Sequence, residues 1–141
     1  MTDKVFLDTN VLVYLYDESS PDKQARSRTI LEKDPERFRF IISTQVLQEF
    51  YVTVTRKLSS PLREEDAVAA MRGLQELPVI RIDVPLIFDA IGLRRKFQLS
   101  FWDALVIQAA LISGCTRLLT EDLQHGMRIG DLTIENPFLS G

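Results

Sequence analysis

Short apolar runs, each too brief to be a helix and most of them followed by a helix-start signal, recur along this chain. Val5-Phe6-Leu7 stops abruptly at Asp8, and Phe40-Ile41-Ile42, Val79-Ile80-Arg81-Ile82, Leu118-Leu119 and Leu132-Thr133-Ile134 follow at intervals. Unbroken apolar runs of this length suit strands buried on both faces, as in a parallel sheet. Helices are predicted between them. Val11 to Tyr16 forms the first turns of one. Ser20-Pro21 supplies an N-cap and a proline at the first helical position, opening a polar helix to about Lys33. Ser43 or Thr44 caps the next, to about Leu58, with Leu47, Phe50, Val54 and Leu58 on its apolar face. Ser60-Pro61 repeats the signal and predicts a helix to Leu77, and Asp83 caps another through about Phe97. Trp102 to Ser113 is the most apolar helix, closed by Gly114, and a helix apolar nearly all round is a buried one. Strands alternating with helices imply right-handed crossovers. The expected class is α/β, a mostly parallel central sheet of four to five strands covered by helices on both faces.

With 141 residues, the chain is expected to form one domain spanning 1–141 with a conventional core. Apolar residues at 45% and charged residues at 26% exclude disorder and coiled coil as whole-chain readings. No stretch reaches the ~18 apolar residues of a membrane span, and Met1 to Val5 lacks the layout of a secretory signal. Together with the single cysteine, Cys115, this predicts a cytoplasmic protein without internal disulfides. One histidine, His125, leaves no basis for a multi-imidazole metal site. The net charge is −3, whereas proteins that hold nucleic acid by non-specific attraction carry a basic excess. A nucleic-acid substrate would therefore need local basic patches, with the acids serving another purpose.

The positions of the acids give that purpose. Asp8 ends the first strand, and Leu118-Leu119-Thr120 runs into Glu121-Asp122. Ligands of open parallel sheets sit outside the carboxyl ends of the strands, where helix N-termini also gather. Asp103 lies in the first turn of the apolar helix and belongs to the same edge. Carboxylates gathered without intervening bases raise one another's pKa unless a cation neutralises them, and an all-oxygen set selects Mg²⁺ or Mn²⁺. Simpler roles are open at each position. Ser100 and Asp103 have capping-box spacing, with room for capping and ligation together. Asp8 could close a turn, Glu121 reads as a loop acid, and Glu49 falls on a solvated helix face beside Gln45, Val52 and Arg56 by helical projection.

Four separated segments carry a resemblance over nearly the whole chain: Val5-Phe6-Leu7-Asp8-Thr9-Asn10-Val11-Leu12, Gln48-Glu49-Phe50, Ser100-Phe101-Trp102-Asp103-Ala104-Leu105, and Leu118 through Gly126. Their order and content resemble PIN-domain proteins, most of all the VapC-type ribonuclease toxins of bacterial toxin–antitoxin pairs. The resemblance implies a three-layer α/β/α fold and a metal-dependent endoribonuclease. The family's four acids fall on Asp8, Glu49, Asp103 and Asp122, with Thr9, Asn10 and Thr120 as supporting residues. Glu49 thereby acquires a role that helix geometry alone does not give it. One or two Mg²⁺ ions, or Mn²⁺, are implied as cofactor, with RNA as substrate and an antitoxin and a second copy as partners.

The implied reaction is phosphodiester hydrolysis by metal-activated water, which needs no nucleophilic Ser, Cys or His. For RNA contact the sequence offers Arg56, two turns after Glu49, and the run Arg94-Arg95-Lys96, each with the simpler role of a solvated helix face. Trp102 beside Asp103 could stack a base, although a tryptophan opening a buried helix more commonly joins the core. Other readings fit less well. A haloacid-dehalogenase phosphatase would need an aspartate where Asn10 stands, a phosphoacceptor receiver domain would need paired acids near the first strand and a late strand-borne lysine, and no Walker lysine loop is present. A solitary PIN nuclease and a non-catalytic RNA-binding PIN scaffold are the alternatives to a toxin.

Overall fold

The structure is a computed structural model that describes residues 2–139; Met1, Ser140 and Gly141 lie outside it. Strand β1 (Asp3–Leu7) leads into a short helix α1 (Thr9–Val13), a 3₁₀ turn (Tyr14–Tyr16) and α2 (Pro21–Leu31). Then follow β2 (Phe38–Ser43), α3 (Thr44–Arg56), α4 (Glu64–Leu74), β3 (Val79–Ile80), α5 (Val84–Phe97), α6 (Phe101–Ile112), β4 (Arg117–Leu119), β5 (Arg128–Ile129) and β6 (Leu132–Glu135). The strands lie in the order β3-β2-β1-β4-β6-β5, all parallel except the β5–β6 pair. The sheet thus has six strands where four to five were expected. The extra one, β5, is a two-residue edge strand folded back on β6, too short to leave a periodic signal.

Topology positions the site. From β1 the sheet grows through β2 to β3 on one side, and through β4 to β6 on the other. Right-handed crossovers in opposite directions put α1 to α4 on one face and α5 and α6 on the other. The reversal falls between β1 and β4, whose carboxyl ends therefore border an open crevice. Val5, Phe6 and Leu7 of the central β1 are fully buried, as is Leu118 of β4. On α6, Ala104 through Ile107, Ala109 and Ala110 are buried, and this helix packs chiefly against α5.

Several helix boundaries follow the predicted caps. Ser43 Oγ accepts from Val46 N at 3.3 Å, Asp83 Oδ1 from Leu86 N at 3.0 Å, and Ser100 Oγ from Asp103 N at 3.1 Å. Beyond α6, Gly114 adopts φ +76°. Its N–H bonds to Leu111 O at 3.1 Å and that of Cys115 to Ala110 O at 3.0 Å, which is a Schellman closure. The Ser60-Pro61 signal departs from expectation. The amide of Leu62 donates to Val54 O at 2.8 Å, tying this segment to the end of α3. Helix α4 begins only at Glu64 and relies on Glu64, Glu65 and Asp66 against its positive end. Strand β3 is also shorter than its apolar run, because Ile82 N turns aside to Thr44 Oγ1 at 3.1 Å.

The contrast between two isoleucines of α6 tests this packing. Ile107 is fully buried and Ile112 is 60% exposed. Ile107→Ala is expected to lower unfolding free energy by about 2–5 kcal/mol, and Ile112→Ala by no more than about 0.5 kcal/mol. Urea unfolding midpoints at unchanged slope provide the measurement.

Candidate active site

Asp8 continues the β1–β4 ladder past its last residue pair, its N–H donating to Leu119 O at 3.0 Å. It is also the N-cap residue of α1, and it is buried. One carboxylate oxygen accepts from Thr9 N at 2.8 Å and the other from Thr120 Oγ1 at 2.7 Å. Burial pushes its pKa up from 3.8 to about 6; these two hydrogen bonds pull it down, and the negative charges of Asp122 and Glu49 push it further up. Thr120 is fully buried, and the oxygen that donates to Asp8 accepts the N–H of Asp122 at 3.1 Å. A single hydroxyl therefore sets both the carboxylate at the end of β1 and the loop leaving β4.

Asp122 stands exposed on that loop, where Asn10 Nδ2 reaches Asp122 Oδ2 at 3.1 Å while Asn10 Oδ1 accepts the N–H of Glu121 at 3.4 Å. Glu49, on the exposed side of α3, accepts from Thr9 Oγ1 at 3.3 Å, one helical turn after the buried Gln45. Asp103 is half-buried in the first turn of α6. Ser100 caps Asp103 N, and the reciprocal bond of a full capping box is not among the bonds described, so the Asp103 carboxylate is not committed to the cap. Partial burial raises the pKa of Glu49, and so do the charges of Asp122 and Asp103. Asp122 is raised by burial and by Asp103 and Glu121. The four acids thus lie within one another's fields. The ion pairs among the described residues are Lys23–Glu121, Arg63 with Glu65 and Asp66, and Arg117–Glu135, and none involves the four.

Among the described residues no three acidic, His or Cys groups stand close enough to hold one ion between them. The donor chemistry nevertheless fits a small hard dication. Mg²⁺ dehydrates reluctantly and is commonly held by one or two carboxylates, with waters completing its octahedron. An arc of oxygen donors with no cationic partner matches that requirement, whereas a closed four-ligand cage would suit a softer or larger ion.

The family model described as "PIN domain" matches residues 5–126. The chain belongs to the PIN-domain family. No curated protein matches it. Solved structures share the fold of this PIN domain. A toxin–antitoxin complex from Klebsiella pneumoniae aligns with TM-score 0.70 at 19% identity, covering 95% of this chain and 98% of the other. VapBC2 from Rickettsia felis, bound to a promoter DNA fragment, aligns at 0.65 and 23%, covering 94% and 98%. The sarcin–ricin-loop-cleaving toxin VapC20 of Mycobacterium tuberculosis aligns at 0.60 and 20%, covering 81% and 86%.

Around the acids of this PIN domain the remaining residues divide clearly. Glu121 is engaged elsewhere, pairing with Lys23 and accepting from the Tyr14 hydroxyl, which fixes the base of the Asp122 loop to the chain after α1. Arg56 does not line the acidic crevice; Lys57, at the C-cap of α3, lines it with Thr9, Asn10, Glu49 and Asp122. Arg94 and Arg95 border a separate shallow depression with Gln98 and Leu99 at the end of α5. His125 lies in another cleft, its Nδ1 accepting from Asn136 N at 3.0 Å. Gln45, Tyr14, Lys23 and Lys57 carried no motif signal. Only Gln45 was within reach of pattern reasoning, as a polar residue one helical turn before Glu49.

Burial of Asp8 makes a pH-dependent prediction. The folded carboxyl titrates near 6 and the ordinary one at 3.8, so the folded state binds this proton more tightly. The resulting stability is fully present below about pH 4 and is lost as pH rises through about 6, a change of about 3 kcal/mol. In EDTA, Asp8→Asn is expected to be more stable than the parent near pH 7, with the gap closing near pH 4. Urea unfolding of both proteins across that range measures it.

Proposed function

We propose that this chain, acting as one PIN domain over residues 1–141, is a divalent-metal-dependent endoribonuclease and the toxin of a toxin–antitoxin pair. What supports the reading is that Asp8, Glu49, Asp103 and Asp122 lie near enough at the switch point of the sheet for their charges to act on one another, with no basic side chain among the described residues paired to any of them. Family membership supports it, as does the fold shared with toxins and toxin–antitoxin complexes.

In this reading Asp8, Asp103, Asp122 and Glu49 would hold one or two Mg²⁺ or Mn²⁺ ions, with waters supplying the remaining ligands. A bound dication of this kind lowers the pKa of its water and stabilises charge on phosphoryl oxygens. The chain's own contribution is positioning. Thr9 and Thr120 each occupy a lone pair of Asp8 and so fix the direction of the others. Asn10 sets Asp122, and Thr9 sets Glu49, which orients the attacking water from the rim of the crevice. Water is the nucleophile in this reading, and neither the lone cysteine nor the lone histidine stands in the crevice. Cys115 is buried with its thiol pushed up by desolvation, and His125 is held in a different cleft. An antitoxin would lay an apolar helix beside the crevice and direct an arginine or lysine at the unpaired acids. Val84 and Phe88, exposed one turn apart on α5, support association with a second copy.

Cleavage of structured RNA with Mg²⁺ is expected to stop in EDTA. It is expected to fall by at least about 100-fold in Asp8→Asn and Asp103→Asn, the scale of losing one electrostatic contribution to the transition state. Parental rates in Asp8→Asn, or cleavage indifferent to EDTA, would refute the assignment.

A further inference from the structure

Trp102 is 63% exposed, although it lies in the first turn of the most buried helix. Its indole is held in place despite that exposure. Phe101 meets it edge-on, with centroids 5.1 Å apart and planes at 68°. Its carbonyl accepts from the buried Gln45 Nε2 at 3.2 Å, which ties the indole's backbone to α3 one turn before Glu49.

Trp102 forms one wall of a groove of about 370 Å³ against α3, where Gln48, Val52, Thr53 and Lys57 are the other main contributors. An aromatic face, an aliphatic neighbour, an amide and an ammonium are what one nucleotide requires. The base stacks on the indole, the amide of Gln48 meets its edge, and Lys57 takes a phosphate. Lys57 has no acidic partner among the described residues. Glu49, Thr53 and Lys57 also line the acidic crevice, so groove and crevice are continuous across them. A strand with one base on Trp102 carries its next phosphodiester toward the four acids.

We infer that Trp102 is a stacking platform that seats one unpaired nucleotide beside the scissile phosphate and selects single-stranded or looped RNA over duplex. The inference rests on the nuclease reading above for what happens to that phosphate. Seating the base requires only the groove. A duplex keeps its bases stacked on one another and cannot offer a face to the indole.

Trp102 is the chain's only tryptophan, so its fluorescence reports on this groove alone. In EDTA, titration with a short unstructured oligoribonucleotide is expected to quench it, and a duplex of equal length is not. With Mg²⁺, Trp102→Ala is expected to raise KM by about 10- to 100-fold with a smaller change in kcat, the scale of one stacked base. Trp102→Phe should restore most of the loss. An abasic substitution at the seated position should weaken the parent equally and the alanine variant no further. Quenching by an antitoxin but not by RNA would reassign the groove to protein docking and overturn the inference. An unchanged KM in Trp102→Ala, or equal use of duplex and single strand, would also overturn it. If the parent cuts no RNA at all, the nuclease reading fails, while the fluorescence titration still decides whether a base is seated.

Discussion

A carboxylate held almost wholly out of water at the end of β1 is the constraint on which the rest of the site depends. Asp8 has two donors, Thr9 N and Thr120 Oγ1, and no cation. Two hydrogen bonds do not offset its burial, since the carboxyl remains well above its ordinary pKa. The protein therefore maintains an unfavourable charge at a fixed place, which is what a site built to receive a dication requires. The fold holds that charge in place from behind. Fully buried strand residues on β1 and β4 stand behind Asp8, and Thr120 links its position to that of the Asp122 loop.

Neutralisation of acids elsewhere on the chain is consistent with this division. Glu121, adjacent to Asp122, is paired to Lys23 and bonded to Tyr14, so it anchors the loop and does not compete with its neighbour for a cation. Glu135, opposite Leu119 on β6, is paired to Arg117. Glu121 and Glu135 are thus satisfied within the structure, whereas the four acids at the crevice have no ion-pair partner among the described residues.

Sequence reasoning reached the fold because the elements obey local rules: buried strands as apolar runs, and caps at Ser43, Asp83, Ser100 and Gly114. It failed where a tertiary bond overrode a local signal. Leu62 and Ile82 each spend an amide on another element, which delays α4 and shortens β3. Asp8 and Asp103 were legible from strand ends and helix starts. Glu49 was not, because an exposed glutamate on α3 is indistinguishable by periodicity from solvated neighbours; only its bond to Thr9, forty residues away, sets it apart. Trp102 shows the reverse limitation. The sequence around it reads as core, yet the helix turns that position outward while burying the residues that follow.

The two halves of Ser100-x-x-Asp103 show how a structural role and a binding role share four residues. A full capping box would bind the Asp103 carboxylate to the helix's own N-terminus and remove it from the crevice. Here Ser100 caps Asp103 N, so the helix start is stabilised without using the acid's oxygens. The positive end of the helix dipole still favours a negative charge in the first turn, which offsets part of the repulsion among the four acids before any ion arrives. Placing an acid at a helix N-terminus therefore lowers the cost of gathering these carboxylates at one edge of the sheet. It also puts Trp102, one residue earlier, in the groove that meets the crevice across Glu49, Thr53 and Lys57.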